Sequence, residues 1–150
     1  MVDVGDMAPP FSLPDGAGGT LDSASLAGKT WVLYFYPRDD TPGCTKEACS
    51  FRDHWAELQA RGIVVLGVSG DSVASHAKFA KKYSLPFPLL ADTDHAVSVA
   101  WGTWGEKVLY GKKSIGMKRT TFLVGPDGRV RKVWKKPKTD VHAEEILAAV

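Results

Sequence analysis

The chain has two cysteines, Cys44 and Cys49, and both lie in the stretch DDTPGCTKEACS (residues 39–50). Thiols bind metals, form disulfide bonds, or attack electrophiles as thiolates. Thr41 followed by Pro42 is typical of a helix start, with an N-cap and then proline at the first helical position. The chemistry open to the two thiols therefore depends on their five-residue spacing at the start of a helix.

Metal binding and a static disulfide both fit this spacing poorly. A structural zinc site takes four ligands, and the two cysteines with His54 would supply only three. In an α-helix, five residues rise about 7.5 Å and turn about 140°, so the two Cα atoms lie roughly 8 to 9 Å apart. A disulfide needs Cα atoms within about 7 Å, so it forms only if the start of the helix unwinds. We expect no metal here.

The third interpretation uses the two thiols one after the other. Cys44 would lie in the first helical turn, where unpaired N–H groups and the positive end of the helix dipole favour a thiolate. A thiolate attacks peroxide oxygen and becomes a sulfenic acid, with which a second thiol condenses to a disulfide. Cys49 would be that thiol. We expect a reduced helix over residues 42–61, with Cys49 buried on its inner side, that unwinds on oxidation.

The apolar pattern predicts the elements that position this helix. KTWVLYFYP (29–37) and IVVLGVSG (63–70) are typical of strands buried on both faces. Because a helical segment separates them, we expect a parallel pair with a right-handed crossover. RTTFLVGPDGRVRKVW (119–134) predicts an antiparallel hairpin that turns at Pro-Asp-Gly. The fold class is α/β, with a mixed central sheet, helices on both faces and a small N-terminal hairpin.

Length and composition limit the class of protein. A chain of 150 residues fits one domain, 1–150, and a formal net charge of +2 does not indicate nucleic acid or a membrane as main partner. The sequence has no apolar run of roughly 18 residues, and its first residues lack the features of a secretory signal. We therefore expect a cytoplasmic protein, in a compartment where structural disulfides are rare. The sequence offers no phosphate-binding loop, so we expect no cofactor.

The cysteine stretch resembles a known family. YPRDDTPGCT is similar to the peroxiredoxin active-site pattern Pro-x-x-x-Thr/Ser-x-x-Cys, here Pro37, Thr41 and Cys44. TPGCTKEACSFRD resembles the Q-type branch, the bacterioferritin comigratory proteins, in which a resolving cysteine follows five residues after the peroxidatic one. The resemblance continues through GVSGDSVASHAKFAKKYSLPFPLLAD, WGEKVLYGKKSIGMKRTTFLV and HAEEIL, and so covers nearly the whole chain.

This resemblance implies a thioredoxin-like fold and an antioxidant thiol-dependent peroxidase for hydrogen peroxide and organic hydroperoxides. Cys44 would be the peroxidatic cysteine and Cys49 the resolving one, and thioredoxin or a similar dithiol protein would reduce their intramolecular disulfide. Arg119 matches the family's arginine, which would stabilise the thiolate and donate hydrogen bonds to the peroxide. The Thr41 hydroxyl would hydrogen-bond in the site, and Pro37 would shield it. Resolution within one chain implies a monomer.

Two other functions remain open at this point. A thiol–disulfide oxidoreductase on the same fold would usually carry Cys-x-x-Cys, and would need neither Thr41 nor Arg119. A redox-sensing module would use the bond between Cys44 and Cys49 only as a signal. Peroxide consumption at a catalytic rate with a dithiol donor separates the first function from both.

Several other polar residues are expected to have ordinary structural places. We expect His76 and His95 to be exposed on helices. His142, with Glu144 and Glu145, fits a capped terminal helix better than a metal cluster. The basic stretch RKVWKKPK (131–138) fits a solvated strand end and loop.

Overall fold

A computed structural model describes residues 1–150 of the chain, the side chain of Leu109 excepted. Its strands and α-helices are, in chain order, β1 (Ser12–Pro14), β2 (Thr20–Asp22), β3 (Thr30–Phe35), α1 (Pro42–Asp53), α2 (Trp55–Ala60), β4 (Ile63–Ser69), α3 (Val73–Tyr83), β5 (Leu89–Ala91), α4 (Ala96–Trp101), β6 (Trp104–Leu109), β7 (Lys112–Met117), β8 (Thr120–Val124), β9 (Val130–Trp134) and α5 (His142–Ala149).

The central sheet has five strands in the order β5-β4-β3-β8-β9. Strands β3, β4 and β5 run parallel, and β8 pairs antiparallel with both β3 and β9. The predicted parallel pair and the late hairpin are therefore confirmed, and with them the mixed sheet. Strands β1 and β2 form the small N-terminal hairpin that the sequence predicts.

Apolar side chains cover both faces of the sheet, and β3 and β4 are therefore buried on both sides. One cluster includes Cys44, Phe51, Phe79 and Ile146, from α1, α3 and α5. The other cluster includes Trp101 of α4, beneath the opposite face. Helices thus lie on both faces, as expected, and Cys44 sits in the first of the two apolar clusters.

The prediction of a single helix over residues 42–61 is wrong, because the helix is interrupted at His54 and divides into α1 and α2. His54 has φ −107° and ψ 17°, outside the α-helical region. Its ring Nδ1 lies 3.0 Å from the carbonyl oxygen of Ser50, so the side chain bonds the backbone locally. Cys44 and Cys49 both belong to α1, so the break leaves their helical spacing intact.

A second hairpin, β6–β7, occupies residues to which the sequence pattern assigns no element. It pairs Trp104 with Met117 at its base. At its turn Tyr110 and Gly111 have φ values of +52° and +76°, the left-handed conformation of a tight hairpin turn. The hairpin ends just before Arg119 and so sets where that residue enters the site.

Among the described residues, no helix is both long enough and apolar enough to span a membrane.

Candidate active site

Cys44 is the third residue of α1 and is 1% exposed. Thr41 precedes the helix in an extended conformation, with φ −97° and ψ 156°, and Pro42 begins it. The first helical hydrogen bond runs from the Thr45 N–H to the Thr41 carbonyl oxygen at 2.8 Å. The predicted place of Cys44 in the first turn of a helix is therefore found, where the helix dipole favours an anion.

Arg119 joins Cys44 to a buried carboxylate. It lies in the link between β7 and β8, and its Nη2 donates to the Cys44 Sγ at 3.1 Å. Its Nη1 donates to Glu47 Oε1 at 2.8 Å. A Cβ at position 43 would come 3.2 Å from the same Nη2, so Gly43 leaves the room that the guanidinium occupies.

The Arg119 guanidinium stays protonated and keeps its positive charge. Burial lowers the pKa of Arg119, but the charges of Glu47 and Cys44 outweigh burial and raise the pKa above its ordinary value. A cationic donor in contact with sulfur stabilises a thiolate over a thiol. The structure thus brings Arg119 and Cys44 into contact.

Glu47 is the residue of this site that sequence reasoning missed. It is fully buried, and burial raises its pKa to about 7 against the opposing charge of Arg119. Its Oε2 finds no hydrogen-bond partner among the described groups. Glu47 follows Cys44 by three residues and so lies on the same helix face. That spacing is the sequence signal that could have predicted its place in the site.

His142 lies beneath Glu47, at 4.0 Å between Nε2 and Oε2. Burial lowers the pKa of His142, so the ring is neutral at pH 7. Its Nδ1 faces the Glu145 carboxylate at 3.0 Å and must donate to it, so Nε2 accepts from the Thr121 hydroxyl at 2.8 Å. His142 is therefore a buried neutral residue, and it supplies no proton to Glu47 in this arrangement.

Thr41 and Pro37 lie on the loop before α1. The Thr41 hydroxyl donates to the Arg38 carbonyl oxygen at 2.9 Å, so here it shapes the loop. Pro37 is exposed just after β3. Their predicted contacts with a peroxide stay predictions.

Cys49 is half-buried, so the prediction that it is buried on the inner side of α1 is wrong. Both cysteines are free thiols in this structure. Burial raises the pKa of Cys49, with the nearby charge of Arg52 acting against it. Cys49 within the intact helix is therefore held as a thiol.

A second polar cluster lies on the other side of the loop. Asp39, Asp71 and His76 each bring one oxygen or nitrogen within 4.8 Å of the others, a spacing that could hold a metal ion. The Nδ1 of His76 and Oδ2 of Asp39 are 2.7 Å apart, however, which is a hydrogen bond. The prediction that His76 is exposed is wrong, since its side chain is 0% exposed.

Together, a mixed sheet of this topology and a cysteine at a helix start beside an arginine define a thioredoxin-like thiol enzyme. The sequence profile of the AhpC/TSA family matches residues 4–133. The chain therefore belongs to the AhpC/TSA family, and within it to the peroxiredoxins of the Q, or bacterioferritin comigratory, branch, as the following relatives show. Peroxiredoxins are thiol-dependent peroxidases.

Sequence relatives and solved structures agree on this branch. The chain is 50% identical over 146 residues to a putative peroxiredoxin Bcp of Coxiella burnetii, with 97% of each chain covered. It is 43% identical over 143 residues to peroxiredoxin Bcp of Escherichia coli strain K12, covering 95% of this chain and 92% of the relative. A bacterioferritin comigratory protein of Xanthomonas campestris, solved in work on its alkyl peroxide reduction, superposes with a TM-score of 0.87 at 41% identity, covering 93% of this chain and 88% of that one. A cysteine-to-serine variant of Xylella fastidiosa PrxQ superposes with a TM-score of 0.91 at 34% identity, covering 99% and 94%.

The stability of the protein should depend on pH through Glu47. Its pKa is raised from an ordinary 4.5 to about 7, so the folded state binds its proton more tightly than the unfolded state. That contribution to stability is fully present below the unfolded pKa and is lost as the pH rises through the folded one. We expect the free energy of unfolding to fall by on the order of 3 kcal/mol across this window.

Urea unfolding titrations at a series of pH values, from below 4.5 to above 7, measure this dependence. Glu47→Gln should lose most of the slope, whereas the control Glu144→Gln, at an exposed carboxylate, should keep it. An equal slope in wild type and Glu47→Gln would mean that another group carries the dependence.

Proposed function

We propose that the protein reduces hydrogen peroxide and organic hydroperoxides through Cys44. The observation that carries the proposal is the 3.1 Å contact from Arg119 Nη2 to Cys44 Sγ, made by a guanidinium that stays charged. The thiolate attacks one peroxide oxygen, the O–O bond breaks, and Cys44 becomes a sulfenic acid. The other oxygen leaves as hydroxide or alkoxide, takes up a proton, and is stabilised as it leaves by the guanidinium.

Two residues of the loop complete the proposed peroxide site. The Thr41 hydroxyl turns from the Arg38 carbonyl to a bound peroxide oxygen. Pro37, exposed beside it, shields the reacting atoms from water. Both roles rest on the family pattern and on the place of these residues before α1.

Cys49 resolves the sulfenic acid in the proposed cycle. The Cys49 sulfur attacks the Cys44 sulfur, an S–S bond forms, and the sulfenic oxygen leaves as water. A dithiol protein such as thioredoxin then reduces this bond through a mixed disulfide and is itself oxidised. Peroxide attack and resolution both take place within one chain, which supports a monomer, and cytoplasmic dithiol proteins would supply the electrons.

Helix α1 must open for this step. The two cysteines are five positions apart in the helix, and the helical rise and rotation keep their Cα atoms beyond disulfide reach. Each helical hydrogen bond that opens costs only about 1 kcal/mol net. Opening also moves Glu47 out of its apolar surroundings and into water, where its ionised form is no longer penalised by burial.

A coupled assay with thioredoxin, thioredoxin reductase and NADPH tests the proposal. We expect catalytic NADPH consumption on adding peroxide, and none without the protein. Turnover with dithiothreitol but not with thioredoxin would show that the reductant is a different dithiol. No turnover with either donor would overturn the peroxidase assignment, and would favour the alternative functions, a thiol–disulfide oxidoreductase or a redox sensor.

Hydrogen exchange should reveal the opening of α1. We expect amides 43–52 to be protected in the reduced protein and to exchange fast in the oxidised one, because their helical hydrogen bonds open. Strands β3 and β4 should exchange equally slowly in both states. Equal protection of α1 in both states, in protein whose disulfide has been confirmed by mass spectrometry, would contradict the opening.

A further inference from the structure

Hydrogen bonds with side chains of the protein interior fix the loop that leads into α1, residues 36–41. The hydroxyl of Tyr36 donates to Asp39 Oδ1 at 2.6 Å, and the hydroxyl of Ser75 donates to Asp39 Oδ2 at 2.8 Å. The backbone N–H of Asp39 donates to Asp71 Oδ2 at 2.8 Å. Main chain and side chain of Asp39 are thus fixed together.

His76 completes this network with a buried hydrogen bond. Its Nδ1 is 2.7 Å from Asp39 Oδ2, and its Nε2 is 2.9 Å from the Leu90 carbonyl oxygen. A carbonyl oxygen only accepts, so Nε2 carries the proton of that hydrogen bond. Asp39 receives three side-chain contacts in all, from Tyr36, Ser75 and His76. The His76 and Asp39 side chains are 0% and 4% exposed, so removing one would leave a buried polar group without its partner.

The position of this hydrogen-bonded pair connects it to the reacting thiol. Asp39 lies two residues before Thr41 and five before Cys44. The groups that hold Asp39 come from the end of β3, the link after β4, and α3. These contacts lie outside α1, so they can stay in place while α1 opens.

We propose that Asp39, held by His76, is a positioning residue for the peroxide site. It fixes the loop over residues 36–41, and through it places Thr41 and the start of α1, while acting on the reaction only through Thr41 and Cys44. It also confines the opening on oxidation to residues after Thr41, so that the site re-forms on reduction. The inference rests on the proposed peroxidase function.

Two tyrosines of this region give a matched test. Tyr36→Phe removes the hydroxyl that donates to Asp39, whereas Tyr83→Phe removes a hydroxyl that donates at 2.8 Å to the neighbouring Asp40 on the solvent side. We expect the second-order rate constant of Cys44 with hydrogen peroxide to fall by about threefold to tenfold in Tyr36→Phe, the effect of one ordinary hydrogen bond. Tyr83→Phe should react at the wild-type rate. Asp39→Asn, which keeps the size but replaces one accepting oxygen with an NH2 donor, should lose about 10-fold to 100-fold, as expected of a misplaced reacting group.

A second readout separates positioning from mere stability. The amides of residues 36 and 39 donate to the Val68 carbonyl oxygen and to Asp71 Oδ2. Their hydrogen exchange should stay slow in oxidised wild type and become fast in oxidised Tyr36→Phe, which would show that opening has spread past Thr41. A network that only stabilises the fold would lower the melting temperature of Tyr36→Phe while leaving the rate constant and these amides unchanged at 25 °C, and that result would overturn the inference. If Asp39→Asn does not fold, Tyr36→Phe decides. Wild type without peroxide consumption would instead overturn the proposed function.

Discussion

Replacing Cys44 with serine is expected to abolish peroxide reduction. A serine hydroxyl supplies almost no anion at neutral pH, and the anion is the attacking species. Arg119 cannot compensate, because its contact stabilises an anion that serine does not form. Stopped-flow measurement of peroxide loss should give the uncatalysed rate for Cys44→Ser.

Cys49→Ser separates the two thiols. Its Cys44 and Arg119 are unchanged, so it should consume about one peroxide per chain and then stall, or continue only with an external thiol. Wild type with a dithiol donor should turn over repeatedly. Equal single-turnover activity in wild type and Cys44→Ser would show that the reacting thiol has been misidentified.

Removing the arginine should have the next largest effect. Arg119→Ala should lower the second-order rate constant for hydrogen peroxide by about 100-fold to 1000-fold, the usual cost of losing a donor to a developing oxyanion. The thiolate fraction of Cys44 at neutral pH should fall with it, because both effects depend on the 3.1 Å contact to sulfur. Alkylation by iodoacetamide across a pH series measures that fraction.

The effect of Arg119→Ala on the stability of the fold must be distinguished from its effect on the reaction rate, because this substitution also leaves Glu47 buried without its ion-pair partner. Arg119→Ala combined with Glu47→Gln removes the carboxyl group whose ionisation burial then opposes without a partner, and should recover thermal stability without recovering the rate. Arg119→Lys should restore only part of the rate, since one ammonium lacks the planar fork that holds sulfur and carboxylate together. Arg129→Ala, at an exposed arginine that bonds the Gly5 carbonyl, is the matched control. A rate constant unchanged in Arg119→Ala would make the arginine structural.

Local patterns predicted the parts of this protein that depend on local physics. The apolar runs of β3 and β4 identify buried parallel strands, because strands covered on both faces carry few polar residues. The Pro-Asp-Gly turn gives the β8–β9 hairpin, and Thr41 with Pro42 gives the start of α1. Cys44 was therefore placed correctly from neighbouring residues alone.

The remaining features depend on partners distant in sequence. Glu47 is buried because it pairs with Arg119, 72 residues later, and glutamate is otherwise among the least buried residue types. His76 is buried because it pairs with Asp39, 37 residues earlier. The helical spacing at both positions is compatible with an exposed side chain, so only the tertiary structure reveals that these two residues are buried.

The break at His54 and the β6–β7 hairpin were missed for a different reason. The residues after Cys44 keep an apolar helical spacing through the break, so the pattern gives no sign of it. The hairpin turns at Tyr110 with φ +52°, and tyrosine is not a residue whose presence predicts a left-handed turn.

Mapping the disulfide after stoichiometric oxidation tests the central claim most directly. Reduced protein is treated with one equivalent of hydrogen peroxide, digested without reductant and analysed by mass spectrometry. The predicted product is a single chain in which the Cys44 and Cys49 peptides are joined, with hydrogen exchange showing an open α1. Recovery of Cys49 as a free thiol, with Cys44 left as an oxyacid or bonded to a second chain, would contradict resolution within the helix.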